Sequence, residues 1–474
     1  MSKVNYKKLG NDTIAFGFSN IASKVISYFL LPLYTSVLST EEFGFADTLL
    51  TFVNLLYPIL TLSISEALLR FTIDEDDTAK RNEYITVTFG IVALSTLVLW
   101  SIKGIAGLYN SMLKDYWIYV VLLYLGFNIE KCTTYYTKAI GKTRLVAVSG
   151  VFNTVLLISS NLLLLLVFKI GMMGYIFSMI LSYYGTAFFE IVVGRLWKNV
   201  RLCKFKKQTV VSMLSYSTPM IVTIIAWWIN TTADKYIIEL SLGIGARGLY
   251  AAAYKIPTII SSITGIFIDA WKLTIYGSSK DEIDGSFYDV YKNLGMFCTL
   301  VVMGLITLSE IAGKIMFSSA YFSAWRSIPF LAGAVYFSTL SGYLASAITK
   351  SKNTSKLLFG TLSGAIVNIL LGIILVPRYG IVFAALTTYV GFFLTWIIRV
   401  FQIKKFIAFK FNVLRESISI ICITAACVLM SFGYTHKYYA VVPVLIISVV
   451  NNFSFIKNAA EKIFSLKFSV LNKK

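Results

Sequence analysis

The sequence predicts an all-α integral membrane protein with about 14 transmembrane helices, arranged as two six-helix lobes related by a pseudo-twofold axis, plus two C-terminal helices. The first observation is composition: of 474 residues, 57% are hydrophobic and 14% are charged, whereas soluble globular chains carry about 25% charged residues. The second is the recurrence of apolar runs of about 20 residues, the length at which a helix crosses a bilayer. The third is the alternation of basic and nearly uncharged connections between these runs.

About fourteen apolar runs have the length of a membrane span. Short connections separate them, and no connection is long enough to form a soluble domain. The runs lie near residues 11–38, 43–69, 85–108, 116–137, 145–168, 171–194, 211–233, 244–276, 287–313, 324–348, 355–377, 379–402, 413–434 and 438–456.

The placement of basic residues predicts the orientation. With the N-terminus inside, about thirty Lys and Arg residues fall in cytoplasmic segments and about nine in outer connections, which is the bias that orients membrane proteins. A missed or invented span would scramble this alternation. We therefore predict a multi-pass protein of the cell (cytoplasmic) membrane with both termini in the cytoplasm. The net charge of +20 lies on short loops without a groove or a recognition helix, so nucleic acid is not a predicted partner.

The second half of the chain repeats features of the first. LSTEEFGFADTLL from Leu38 resembles LSLGIGARGLYAAAY from Leu240, which puts Gly44 and Gly248 at matching places in an outer loop. Six spans per copy predict a parallel repeat about an axis along the membrane normal.

A basic stretch, RLWKNVRLCKFKKQ from Arg195, separates the two copies, and Gly174 and Gly380 each open the sixth span of their half. The predicted domains are an N-terminal six-helix lobe with its basic linker (1–208), a C-terminal six-helix lobe (209–410), and two additional helices with a basic tail (411–474).

Lys24 stands in the middle of the first predicted span. It shares a helical face with Asn20, Ser23, Ser27 and Tyr34, spaced as neighbours on a helix surface. A central charge costs about 2.5–3.5 kcal/mol on insertion scales, so this polar stripe is expected to face protein or water. A cavity-lining role is the favoured interpretation; a structural ion pair and snorkelling to the interface are the alternatives.

Other spans carry similar polar residues, which two lobes around a central aqueous cavity would require. The second and eighth spans are the richest, although Asp269 and Lys272, spaced i, i+3, have the alternative of simply neutralising each other. The fourth span carries Glu130 and Lys131. We expect these two residues, and the polar residues of the seventh and ninth spans, to line the cavity or to lie at an interface. The predicted substrate-binding cations are Lys24, Lys255, Lys272, Lys131 and Lys292, and the predicted coupling or polar cavity residues are Asp47, Asn54, Glu66, Asn230, Asp234 and Asp269.

These residue types indicate the chemistry of the cavity. A lysine ammonium attracts phosphate as a point charge. A carboxylate inside a membrane is costly while charged and therefore takes up protons or pairs with cations. Both properties suit a transporter of an anionic lipid.

Several short motifs lack the sequence context that a nucleotide-binding or catalytic site requires. GIGARG from Gly243 follows no strand and is expected to form a tight interhelical turn rather than a nucleotide site. IGKT from Ile140 lacks the earlier glycine of a phosphate-binding loop. His436 is the only histidine and lies in an outer connection, so there is no candidate base inside the membrane. No enzyme activity, cofactor or metal site is predicted.

Four stretches carry a family likeness: LLPLYTSVLSTEEFGFADTLL from Leu30, NTTADKYIIELSLGIGARGLYAAAYKI from Asn230, AITKSKNT from Ala347 and VPRYGIVFAAL from Val376. The chain resembles the Wzx-type polysaccharide (O-antigen) flippases of the multidrug/oligosaccharidyl-lipid/polysaccharide (MOP) exporter superfamily. The resemblance implies alternating access of two six-helix lobes, a groove for a polyprenyl tail at residues 413–456, and a cationic cavity that maps onto Lys24, Lys255 and Lys272. Relatives often have arginine where this chain has lysine.

The function implied by the resemblance is translocation of undecaprenyl-pyrophosphate-linked oligosaccharide for O-antigen, capsule or exopolysaccharide synthesis. Its implied partners are that substrate, membrane lipids, a polysaccharide polymerase and glycosyltransferases. A MATE-like multidrug or cation antiporter is the alternative, for which an acidic or apolar cavity is expected. A membrane scaffold or a glycosyltransferase would not require charges in mid-span.

Overall fold

The computed structural model describes residues 28–73, 75–104, 114–198, 204–277, 280–350, 354–407, 412–433 and 437–455, with residues 457 and 461. Two predicted site residues are affected: Lys24 lies outside the described residues, and of Asn230 only the backbone is described. The chain forms two compact units, Met1–Thr232 and Ala233–Lys474.

The described part of the first unit consists of helices joined by turns and short non-helical segments. A capping box begins the helix Thr40–Leu60: the Ser39 hydroxyl accepts from the Glu42 N–H and the Glu42 carboxylate accepts from the Ser39 N–H, so two donors at the helix start are satisfied. Short π and 3₁₀ segments, Leu162–Val167 and Leu196–Lys198, follow the sixth and seventh helices. The helices are α1 Leu31–Val37, α2 Thr40–Leu60, α3 Ile64–Ile73, α4 Thr78–Ser101, α5 Trp117–Ala139, α6 Thr143–Asn161 and α7 Met172–Val193.

The border between the two units falls inside a long helix, α8, Lys207–Leu242. In the second unit a 3₁₀ segment, Ser319–Ser327, leads into the helix that begins at Ile328. The helices that follow α8 are α9 Ile244–Gly277, α10 Lys280–Thr307, α11 Ser309–Met316, α12 Ile328–Lys350, α13 Thr354–Tyr379, α14 Ile381–Ile403, α15 Val413–Phe432 and α16 Lys437–Asn451.

Eleven helices within the described residues are long and apolar enough to cross a membrane. α5 has 23 residues but carries Glu130 and Lys131, and α16 is apolar with 15 residues. The chain is therefore a multi-pass membrane protein, and the predicted all-α class is confirmed. The number of fourteen spans and the lobe boundaries stay predictions.

The predicted second span, 43–69, is wrong in one respect, because it consists of two helices. α2 and α3 are separated at Thr61–Ser63, where Leu62 and Ser63 have φ of 51° and 54°. Non-glycine residues adopt this left-handed region at a cost of roughly 1–2 kcal/mol each. Pro58 lies in the last turn of α2 and favours a helix end nearby, since proline lacks an N–H and crowds the preceding turn. Glu66 follows in the first turn of α3.

The connection after the predicted seventh span is also corrected. α8 continues to Leu242, and a single glycine, Gly243 with φ 87°, separates it from α9. Asp234 therefore lies well inside a helix rather than at its end. Arg247, which is one of the nine basic residues counted in the outer connections, is helical and fully buried. Of the GIGARG stretch, the first glycine makes the expected turn and the rest is helix.

Two glycines with positive φ lie at corresponding points of the predicted repeat. Gly171 and Gly380, with φ of 61° and 82°, directly precede α7 and α14, so Gly171 and not the predicted Gly174 is the equivalent of Gly380. Gly44 and Gly248 are each the fifth residue of their helices, α2 and α9. They occupy matching positions as predicted, but in helices rather than in a loop.

Candidate functional site

An ion pair lies beside the break between α2 and α3. Lys131 Nζ on α5 is 3.4 Å from Glu66 Oε1 on α3, and the two side chains are 18% and 24% exposed. The break sets where α3 begins and so directs Glu66 toward α5, which packs against α3. The sequence predicted both residues as site residues, one cationic and one acidic, and the structure brings them together.

Two tyrosine rings surround this pair. Lys131 Nζ lies 3.9 Å from the centroid of the Tyr57 ring and 5.2 Å from that of Tyr135. The Tyr135 hydroxyl donates a hydrogen bond of 3.1 Å to Glu66 Oε1. Attraction between the ammonium and the aromatic faces stabilises the charge in apolar surroundings. We call Tyr57, Glu66, Lys131 and Tyr135 the Glu66–Lys131 cluster.

A second carboxyl group of the first unit is fully buried. Glu190 on α7 accepts from Ser149 on α6 at 2.6 Å and from Thr134 on α5 at 3.0 and 3.1 Å. Glu190 lies close enough to interact electrostatically with the ammonium of Lys138 and with the carboxyl group of Glu130. Sequence reasoning missed Glu190; a carboxylate near the end of an apolar helix, FFEIVV, is the signal that was available.

In the second unit, Asp234 is the centre of a hydrogen-bonded group. It is 3% exposed. Its Oδ2 accepts from the Tyr250 hydroxyl on α9 and, at 2.8 Å, from Thr388 on α14. Oδ1 accepts from the backbone N–H of Lys235 at 3.0 Å. A carboxylate at this depth, held by three helices, is a candidate binding point for a proton or a cation. We call Asp234, Tyr250 and Thr388 the Asp234 cluster.

The remaining predicted residues have varied surroundings. Asp269 and Lys272 form an ion pair of 2.9 Å with side chains 75% and 39% exposed. Lys255 and Lys292 are half-buried on α9 and α10, Asp47 is half-buried on α2, and Asn54 is exposed.

Sequence reasoning also missed an ion pair near the start of α9. Arg247 Nη1 lies 2.6 Å from Glu239 Oε2, with side chains 0% and 9% exposed. The guanidinium lies over the ring of Tyr236, 4.6 Å from its centroid. The pair spans the Gly243 turn and ties the end of α8 to the start of α9. The close contact, with Arg247 fully buried and Glu239 nearly so, indicates a structural role.

An apolar groove of about 450 Å³ runs along α9 and α10. The resemblance implied a groove formed by residues 413–456, and from that region Phe455 takes part in the lining. The lining includes Ile263, Phe267, Val290, Leu294, Phe297 and Phe455.

The fold is that of multi-helix membrane transporters. The lipid II flippase MurJ, in an inward closed conformation, matches with a TM-score of 0.69 at 14% identity over 95% of this chain and 100% of that chain. A MATE family multidrug transporter of the MOP superfamily matches with a TM-score of 0.63 at 12% identity, over 82% of this chain and 98% of that one.

Residues 9–271 match the family model described as polysaccharide biosynthesis protein. The match covers more than half of the chain, and the chain belongs to this family. An uncharacterized membrane protein of Methanocaldococcus jannaschii is 23% identical over 84% of this chain and 99% of its own length. A probable low-salt glycan biosynthesis flippase of Haloferax volcanii is 23% identical over 42% of this chain and 43% of its own length. The resemblance to a polysaccharide flippase of the MOP superfamily is confirmed.

Proposed function

We propose that the protein translocates a polyprenyl-pyrophosphate-linked oligosaccharide across the cytoplasmic membrane by alternating access, as a step in surface polysaccharide biosynthesis. The undecaprenyl carrier is the form that the resemblance implies. The observation that carries the proposal is a set of lysines and carboxylates placed within membrane helices of a chain from a polysaccharide biosynthesis family.

The lysines are the proposed contacts of the pyrophosphate. Lys131 is stabilised by aromatic rings and one carboxylate, and Lys255, Lys272 and Lys292 are half-buried on α9 and α10. Because an ammonium is a compact charge with three rotatable donors, it binds phosphate oxygens without a fixed geometry. Lys24 is proposed to join this set on sequence grounds alone.

The groove along α9 and α10 is the proposed path of the polyprenyl tail. Its lining is almost entirely apolar and aromatic. A tail in this groove stays in an environment like lipid, so the protein needs to shield only the charged headgroup and the sugars from hydrocarbon.

The Asp234 cluster is the proposed coupling site, with the Asp47, Asn54, Glu66, Asn230 and Asp269 positions as further polar lining. Binding of a proton or a cation to Asp234 changes the charge that α8, α9 and α14 hold in common. An ion gradient can therefore bias one conformation over the other.

A MATE-like cation antiporter is the second candidate, favoured by the buried carboxyl groups Glu190 and Asp234. The two candidates differ in what the lysines are for. An antiporter of cationic drugs has no use for Lys131 or Lys255, whereas a carrier of pyrophosphate requires positive charge.

A deletion strain tests the proposal. Loss of the gene should abolish surface polysaccharide and cause lipid-linked oligosaccharide to accumulate at the inner face of the membrane, and the intact gene should restore both. Normal surface polysaccharide combined with greater sensitivity to cationic drugs would favour the antiporter instead.

A further inference from the structure

We propose that Glu66 is a built-in competitor of the substrate: its carboxylate occupies Lys131 while the site is empty, and the pyrophosphate of the lipid carrier displaces it. The inference rests on the proposed function and deepens it, because it assigns regulation to the same cationic site.

The charged atoms of the pair are farther apart than in a close charge-assisted hydrogen bond. Lys131 Nζ lies 3.4 Å from Glu66 Oε1, whereas charge-assisted hydrogen bonds are usually about 2.7–2.9 Å long. The buried pair of Arg247 and Glu239 has a separation of 2.6 Å, so this fold does form close ion pairs where it needs them.

Both partners remain reachable. Lys131 is 18% and Glu66 24% exposed, whereas Arg247 and Glu239 are 0% and 9% exposed. An anion that arrives in the site can therefore approach the ammonium without unfolding the surrounding helices. A pyrophosphate carries more negative charge than one carboxylate and offers several acceptor oxygens, so it competes well for a lysine.

The cluster also provides for the separated partners. The Tyr57 and Tyr135 rings lie beside the ammonium and the Tyr135 hydroxyl donates to Glu66, so each charge has a stabilising neighbour besides its ionic partner. Two further charged groups lie nearby. Glu130 interacts electrostatically with Lys131, and the Lys138 ammonium lies over the ring of Tyr135. Exchange of one anion for another is therefore less costly than exposure of a bare charge to apolar surroundings.

The position of Glu66 links this exchange to movement. The Glu66 N–H donates to the Ser63 carbonyl at the break between α2 and α3. Release of Lys131 from Glu66 removes an ionic connection between α3 and α5, directly beside a segment with two left-handed residues. Substrate binding thus loosens the start of α3.

The test is binding of inorganic pyrophosphate to the purified full-length protein in detergent, measured by calorimetry alongside thermal unfolding. Glu66→Gln should bind pyrophosphate about threefold to tenfold more tightly than the wild type, because the competing charge is gone. Lys131→Met should bind at least about tenfold more weakly. Glu310→Gln, which removes a lysine-paired carboxylate outside the site, is the control for net charge and should leave affinity within about twofold.

A charge exchange, Glu66→Lys with Lys131→Glu, separates the competitor from a purely structural pair. We expect the exchanged protein to recover thermal stability relative to the single variants but to keep weak pyrophosphate binding. Equal affinity of the wild type and Glu66→Gln, with Lys131→Met still weakened, would overturn the competitor and leave the proposed phosphate site standing. Absence of pyrophosphate binding in every variant would overturn both.

Discussion

The Thr388 hydroxyl donates a 2.8 Å hydrogen bond to Asp234 Oδ2, and so joins α14 to α8 across 154 positions of sequence. The Tyr250 hydroxyl lies 3.1 Å from the same threonine. Asp234, which lies on α8, is therefore connected by hydrogen bonds to α9 and α14. A change in its charge redistributes hydrogen bonds on all of them, which is what a coupling residue requires.

Replacement of Asp234 by asparagine should uncouple transport while the fold is retained. Asn has nearly the same shape and accepts the same hydroxyl hydrogen bonds, but it cannot take up a proton or hold a cation. We expect gradient-driven flipping in proteoliposomes to fall by about tenfold or more. Thr388→Val is the companion variant and should give a smaller loss, since it removes one donor and keeps the charge. Full gradient-driven activity of Asp234→Asn would remove this residue from coupling.

Lys255→Ala should abolish glycan export while the protein still reaches the membrane, and Lys24→Ala should do the same. The physical reason is loss of positive charge where a pyrophosphate must leave water. Complementation of the deletion strain, with membrane levels measured by immunoblot, is the assay. Arginine at either position keeps the charge and should restore most of the export. Wild-type amounts of surface polysaccharide in both alanine variants would exclude these lysines from the site.

The close crossing of α13 and α14 predicts a strong packing effect. A Cβ atom on Gly364 would lie 2.5 Å from the carbonyl oxygen of Gly391 and closer still to the Thr395 hydroxyl. Gly364→Ala should therefore destabilise the protein by roughly 1–3 kcal/mol, seen as a lower Tm in detergent. Gly304→Ala on α10, where a Cβ meets nothing within 4 Å, is the matched control and should leave the Tm unchanged or slightly higher. Equal Tm values for the two variants would contradict the crossing.

Ser63 offers a test of the break between α2 and α3. Its φ is 54°, its side chain is buried, and its hydroxyl has no hydrogen-bond partner among the described residues. Ser63→Gly should raise the free energy of unfolding by about 1 kcal/mol, because glycine adopts this conformation freely. Ser63→Val should lower it, since a β-branched residue resists positive φ. A gain from valine would show that α2 and α3 are continuous in solution.

Glu310 predicts an acid-dependent loss of stability. It accepts from Lys437 and is also paired with Lys314, and the hydrogen bond from Lys437 is the main cause that lowers the pKa of Glu310 to about 2. A depressed pKa stabilises the folded state above the unfolded pKa of about 4.3, and this stabilisation is lost as the pH falls toward the folded pKa.

The corresponding experiment compares thermal unfolding of the wild type and Glu310→Gln at several pH values. The wild type should have the higher Tm at pH 7, and the difference should shrink as the pH falls from about 4.3 toward 2. Lys207→Gln, at the start of α8, is a surface control for charge removal. A Tm difference that is constant over this range would show that Glu310 contributes no ionic stabilisation.

The sequence predicted much of this architecture because membrane helices can be recognised from the length and hydropathy of apolar runs. The left-handed turn before α14 was predictable at Gly380 because such turns favour glycine, whereas the stretch GMMG from Gly171 offers two glycines and the prediction chose the second one, Gly174. The break at Leu62 and Ser63 could not be predicted from the sequence, since neither residue is a helix breaker. Pro58 was the available signal, but proline also occurs within continuous membrane helices. The extension of α8 was hidden by the polar run TTADK, which resembles a loop.

The candidate site was partly predictable for a related reason. Charged residues within or at the ends of apolar runs are conspicuous, so Glu66, Lys131 and Asp234 were found from the sequence. Tyr250 and Thr388, the partners of Asp234, were not found from the sequence. Hydroxyl and phenol side chains are common in these helices, and only the packing determines which of them meet. Arg247 was counted in an outer connection because the predicted spans left a loop between residues 233 and 244, whereas in the structure only Gly243 separates α8 from α9 and Arg247 meets Glu239 across that turn.

The most direct test of the central claim is a flipping assay with the purified protein in proteoliposomes that contain a fluorescent, polyprenyl-pyrophosphate-linked oligosaccharide. The fraction of oligosaccharide accessible to a membrane-impermeant glycosidase is measured over time. We predict that the wild-type protein makes the inner-leaflet pool accessible, that Lys255→Ala reduces this by about tenfold or more, and that empty liposomes show no transfer. Transfer at the rate of empty liposomes with the wild-type protein under every ion gradient would contradict the account.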